Sequence, residues 1–336
     1  MMGAAGASGD KVYVDDVLST SLYDGNDANR SINNGIDLAG EGGLVWIKSR
    51  TGGMANMLFD TERGVHKFLE SNATNAEASY SASLTAFNSN GFSLFDHPRV
   101  NSSSYTYASW TFRKQKGFFD VVTWTGDDQN DRAISHSLGS EPGMVIVKRT
   151  NGANNWFTYH RSLASPLTKW VSLNQDAAET QANVGTNMWG SMTSTHIGIR
   201  NYFGLNALGG TFVAYIFAHD DAQFGTGGDE SIIKCGSYTG GGSSETTVDL
   251  GFEPQWVIIK RTSASADWAL YDNMRGVATS ASSGDMELRP NQTSAETNEN
   301  RIDFYAQGFK LQNDAAPTNG SGSTYIYMAI RRPHKP

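Results

Sequence analysis

The sequence predicts an all-β protein made of three tandem antiparallel β-sandwich modules with a jelly-roll or lectin-like layout. Three observations lead there. Composition is the first: 36 Gly against 8 Pro, with Ser, Thr and Asn between short apolar stretches, favours many turns over long helices. The second is a core strand with a basic tail that occurs three times, as LVWIKSR (44–50), MVIVKRT (144–150) and WVIIKRT (256–262). The third is the lack of any long 3.6-residue periodicity with caps, so helices should be short or absent.

The repeat holds beyond the core strand, and its landmarks can be taken in chain order. Lys48, Lys148 and Lys260 mark equivalent places about 100 and 112 residues apart, roughly one small sandwich each. Upstream, an aromatic-x-Gly turn closes a strand in every copy: Tyr23 to Gly25, Trp124 to Gly126 and Tyr238 to Gly240. Leu38 and Glu41, Leu138 and Glu141, Leu250 and Glu253 then recur at one mutual spacing; Pro142 and Pro254 suit a strand start, where no ladder bond is lost.

Eleven residues after each lysine stands an aromatic residue, Phe59, Tyr159 or Tyr271, within a second strand whose alternation assigns one face inward and one outward. Asn72 and Glu77, Asn174 and Glu179, Asn291 and Glu296 share a spacing after the apolar stretches at Phe68, Trp170 and Met286, and read as polar loops. Gly91-Phe92, Gly308-Phe309 and, more loosely, Ile197-Gly198-Ile199 follow in phase. Each copy ends on an aromatic, β-branched strand: 105–113, 211–218 and 325–332. The division is therefore an N-terminal arm at 1–11 and sandwich repeats at 12–115, 116–227 and 228–336. The arm reads MMGAAGASGD before Lys11; it lacks the plan of a secretory signal and is expected to be flexible or to dock.

Bulk properties exclude several functions. The net charge of -8 leaves no basic footprint for nucleic acid, and no apolar run is long enough to insert in a membrane. The single cysteine, Cys235, rules out an internal disulfide framework and reads as a buried, inert thiol. No nucleophile elbow, phosphate loop, dinucleotide fingerprint or HExxH pair is present, so neither catalytic residues nor a cofactor is assigned. The seven histidines show no metal-ligand spacing. Asp127 to Asp131 begins like a calcium loop but has Arg132 where Gly is needed and Leu138 where a bidentate Glu is needed, which excludes an EF-hand. A solvated turn or a simpler lectin-type site remains. Glu41, Glu141 and Glu253 recur in every copy, which argues for a structural task such as fixing the turn before the core strand. His160 replaces Asp60 and Asp272 and would have to act in one copy alone.

Aromatic content is 11% with 8 Trp. Trp46, Trp110 and Trp256 lie in apolar strands and belong to the core. Trp156, Trp189 and Trp268 flank loops rich in Asn, Ser and Gly; core burial is the favoured reading, and exposed rings that stack on sugars or fill a protein interface are the alternative. Together with Asp127 and Asp131 they are the candidate ligand or interface contacts.

The stretch Leu22-Tyr23-Asp24-Gly25 through Gly42-Gly43-Leu44-Val45-Trp46-Ile47-Lys48 resembles repeat-containing structural proteins of tailed, especially marine, bacteriophages. So do 59–64, 87–92, Val147 to Thr150, Ala214 to Asp220 and Val257 to Arg261. The resemblance spans nearly the whole chain and implies a non-enzymatic, virion-associated protein with concanavalin-like modules. Its implied role is a tail-fibre or spike component whose lectin-like modules contact a host surface glycan. The alternative is a capsid decoration, collar or tail-assembly component bound to other virion proteins. A polysaccharide depolymerase comes third, because no copy-specific acid pair stands out. The fibre analogy further implies a symmetric oligomer of the chain.

Overall fold

A computed structural model describes residues 11–181, 187–277, 284–333 and 335. Of the expected arm only Lys11 falls among them. Strands dominate, and helix is limited among the described residues to the four-residue turns Val14–Val17, Pro98–Asn101 and Phe203–Asn206 and the short 3-10 turn Asn273–Arg275.

All of the paired strands are antiparallel, and one order recurs. In the first copy a large sheet runs Leu18–Asp24, Thr106–Arg113, Gly43–Ser49, Met57–Asp60, Lys67–Glu70, Ala78–Ser79. The second copy repeats it with Phe119–Thr125, Thr211–Phe217, Met144–Arg149, Phe157–His160, Lys169–Ser172 and Thr180–Gln181. The third begins identically with Ile233–Thr239, Thr324–Arg331, Pro254–Arg261 and Ala269–Asp272; its next two strands, Asp285–Glu287 and Thr297–Glu299, form a separate pair tied on by a Leu270–Leu288 bridge. That bridge aligns Glu287, not Met286, with Phe68 and Trp170. Three-stranded sheets accompany the large ones, with Gly91–Leu94, His196–Ile199 and Gly308–Leu311 as their central strands. The looser match at Ile197 to Ile199 thus holds the same place as Gly91-Phe92.

The large sheets are covered on both faces. The second strands were expected to turn one face outward, yet MLFD, FTYH and ALYD are buried at every residue. In the first copy Val45, Ile47, Met57 and Phe59 share a core with Ile32, Leu84, Phe92 and Leu94 of the small sheet. The alternate residues Trp46, Leu58, Trp110 and Phe112 join instead a continuous cluster containing Ile146, Trp156, Tyr215 and Phe217 of the second copy and Trp256, Trp268 and Met328 of the third. The face that period-two reasoning sends to water is therefore buried against the other copies. At the centre Phe112 lies 5.6 Å from Phe217 and 5.7 Å from Trp256, both edge to face, a geometry aromatic quadrupoles favour.

Close approach explains the recurrent aromatic-x-Gly. A Cβ on Gly25, Gly126 or Gly240 would lie 1.9, 2.1 or 2.4 Å from the carbonyl oxygen of Ser102, Ala207 or Gly320. The preceding ring stacks in each copy on its cross-strand neighbour: Tyr23 on Tyr107, Trp124 on Phe212 and Tyr238 on Tyr325.

Candidate functional site

The recurrent residues meet at three seams, where each copy touches the next in cyclic order. Lys148 Nζ donates to the Thr74 carbonyl of the first copy at 3.2 Å, Lys260 Nζ to Asp176 of the second at 2.9 Å, and Lys48 Nζ to Thr293 of the third at 3.0 Å. The three acceptors are equivalent, each two residues beyond a recurrent asparagine. The same loops then donate back: Glu77 N to Thr150 O, Glu179 N to Thr262 O and Glu296 N to Arg50 O, at 2.7–3.0 Å. Asn72, Asn174 and Asn291 hold the adjacent strands by accepting from the backbone amides of Asn56, Trp156 and Trp268. Burial pushes all three lysines down to about 8.

This geometry corrects the placement of the candidate tryptophans. Trp156, Trp189 and Trp268 are at most 1% exposed and cannot stack on an external sugar. Trp156 Nε1 donates across the first seam to the carbonyls of Glu70 and Ala73, and Trp268 Nε1 across the second to Ser172, each near 3.0 Å. Asn56 holds the equivalent place at the third seam and donates to Gln292 O at 2.9 Å. Trp189 packs edge to face on Tyr159 within its own copy.

A second set of contacts explains His160. Asp60 binds Arg63 Nε at 2.5 Å and accepts from the Tyr215 hydroxyl of the second copy at 2.8 Å. Asp272 likewise binds Arg275 Nε at 2.6 Å and accepts from Trp110 Nε1 of the first copy at 2.9 Å. At the remaining seam the positions equivalent to arginine and donor are Leu163 and Met328, which offer a carboxylate nothing. His160 stands there instead, donating from Nε2 to the Tyr327 carbonyl at 3.0 Å while Nδ1 accepts from Ser162 N. Burial lowers its pKa to about 3, so the ring is neutral.

Residues 14–333 match a domain family of unknown function, DUF7483. The chain belongs to it. The match runs unbroken across all three sequence copies and so across all three seams. No curated protein matches the chain.

Outside the seams, Asp127 and Asp131 lie at a surface loop, each already engaged. Asp127 accepts from Gln129 N and Asn206 Nδ2, bonds that hold its carboxyl below the usual range, and pairs with Arg132; Asp131 pairs with Arg200. Asn206 is wholly buried and pins this loop; Asn101 and Asn319 do the same for the equivalent loops. Sequence reasoning missed these asparagines, although each stands five residues before its closing strand.

The recurrent glutamates do not hold the turn as expected: Glu41 and Glu141 are exposed and Glu253 pairs with Arg332. In the first copy Asp37 does so, accepting from Gly40 N at 2.8 Å. Also unforeseen was Glu287, buried and bonded to Tyr271, Arg289 and Arg301. Among the described residues no group of three or more His, Cys, Asp or Glu side chains is placed to hold a metal, and no helix is long and apolar enough to cross a membrane.

Proposed function

We propose that the chain is a non-enzymatic structural component of a phage virion, of the tail-fibre or spike type, in which three tandem β-sandwich modules close into a ring and contact a host surface glycan. The cyclic seam carries this reading: Lys48, Lys148 and Lys260, the residues most plainly repeated, are all consumed in bonds between copies. Recurrence thus serves assembly, and contact with a ligand falls to surfaces where the copies differ. Each copy's small and large sheets share a buried cluster in the first and third copies, which supports the sandwich description.

The expected symmetric oligomer needs another surface than these tryptophan faces, which are already covered within one chain. The decoration or tail-assembly reading rests on Phe203 and Leu208, 59% and 77% exposed in the second copy, where the others carry Pro98 and Ser103 or Ala316 and Ser321. Antibody labelling of intact particles under the electron microscope, with adsorption competition by the purified protein, tests the proposal. Label at the tail tip and reduced adsorption are expected. Label on the capsid or collar with undiminished adsorption favours the second reading, and unlabelled particles overturn both.

A further inference from the structure

We infer that grooves at two of the three seams bind a short neutral saccharide, and that the third seam is shut by the chain's own guanidinium. The inference rests on the glycan-contact reading above and adds where the glycan is held. At the first seam a groove of about 440 Å³ brings Lys67 and Glu77 of the first copy opposite Thr123, Thr125, Thr150 and Thr211 of the second. At the second seam a groove of about 300 Å³ sets Glu179 opposite Ser237, Thr239, Thr262 and Thr324, the equivalent residues of the third copy. Both volumes lie within the range of small-ligand sites.

The chemistry of the walls selects the ligand. Hydroxyls both donate and accept, matching the vicinal hydroxyls of a sugar, and the carboxylate adds an acceptor. Charge is locally balanced, since Glu77 lies 3.2 Å from Arg63 and 3.6 Å from Lys67, while Glu179 pairs with Lys169. An anionic ligand would therefore find no unpaired cation.

The third seam is the internal control. Leu22, Asp24 and Arg50 stand there in place of Thr123, Thr125 and Thr150, and Arg50 Nε reaches Glu296 at 2.9 Å. The Glu296 side chain is 8% exposed, against 21% for Glu77 and 17% for Glu179. A seam thus closes with only one of the four hydroxyls, Thr106 in the place of Thr211 and Thr324, so packing does not demand the other three.

A panel of neutral mono- to tetrasaccharides built from hexoses and N-acetylhexosamines, followed by calorimetric titration of the best binder, tests this. Two equivalents per chain are expected. Thr150→Arg, able to pair with Glu77 as Arg50 pairs with Glu296, should leave one equivalent; Thr262→Arg should do the same, and the double variant should bind none. Thr150→Val with Thr262→Val keeps side-chain shape and should weaken binding at least tenfold while the variant stays folded, its melting temperature lowered only by the loss of the Thr150–Thr211 and Thr262–Thr324 hydroxyl bonds. Undiminished binding by the folded variants would overturn the groove assignment and leave glycan contact standing. No binding anywhere in the panel overturns both.

Discussion

Replacing His160 with aspartate makes the second copy resemble the other two at one position, and the structure says it should be harmful. Residue 160 is 1% exposed. Asp60 and Asp272 survive burial because each has an arginine three residues later and a donor from the next copy. A carboxylate at 160 would face Leu163 and Met328 instead. It must either remain charged without a partner, at about 3–5 kcal/mol, or stay protonated. At pH 7, protonation against an unfolded-state pKa near 3.9 costs about 4 kcal/mol, at about 1.4 kcal/mol per pH unit. The Tyr327 carbonyl also loses its partner, about 1 kcal/mol more.

His160→Asp should therefore lower stability at pH 7 by about 4 kcal/mol, read from the urea midpoint at constant slope. Adding Leu163→Arg and Met328→Tyr, which rebuild the arrangement around Asp60, should recover at least half of the loss. A single variant within about 0.5 kcal/mol of the parent, or a triple variant no better than the single, would refute the seam logic.

Other outcomes follow from the same contacts. His160, with its folded pKa lowered to about 3, supplies stability that is fully present above pH 6.5 and is lost as pH falls from there toward 3, since only the unfolded chain then takes the proton; His160→Asn should flatten that limb of a melting-temperature profile. The seam lysines, lowered to about 8, act at the alkaline end: between pH 8 and 10 the unfolded chain holds more protons, so stability should rise with pH, and a Lys148→Met variant should rise less steeply. Gly126→Ala drives a Cβ to 2.1 Å from the Ala207 carbonyl oxygen and should cost about 1–3 kcal/mol or more in urea unfolding, whereas Gly64→Ala, with open space at a positive φ, should cost only its backbone strain. Cys235, 2% exposed and with its thiol pKa pushed well up by burial, should react with a thiol reagent only after denaturant is added.

The sequence by itself determined the all-β class and the strands around Lys48, Lys148 and Lys260, because apolar runs, turn glycines and equal offsets are local signals. It also marked the positions that matter most, since three copies in one chain act as their own comparison. Only the tertiary structure decided what those positions do. Lys148 meets Thr74, Tyr215 meets Asp60 and Trp110 meets Asp272 across 74 to 162 residues of chain, and no local pattern records such pairings. The same distance hid what Trp156 and Trp268 are buried against: their ring nitrogens donate to carbonyls of the neighbouring copy 83 to 96 residues away. His160 was legible as an exception from the start. Its reason, a missing arginine at Leu163 and a missing donor at Met328, appears only when the copies are folded against one another.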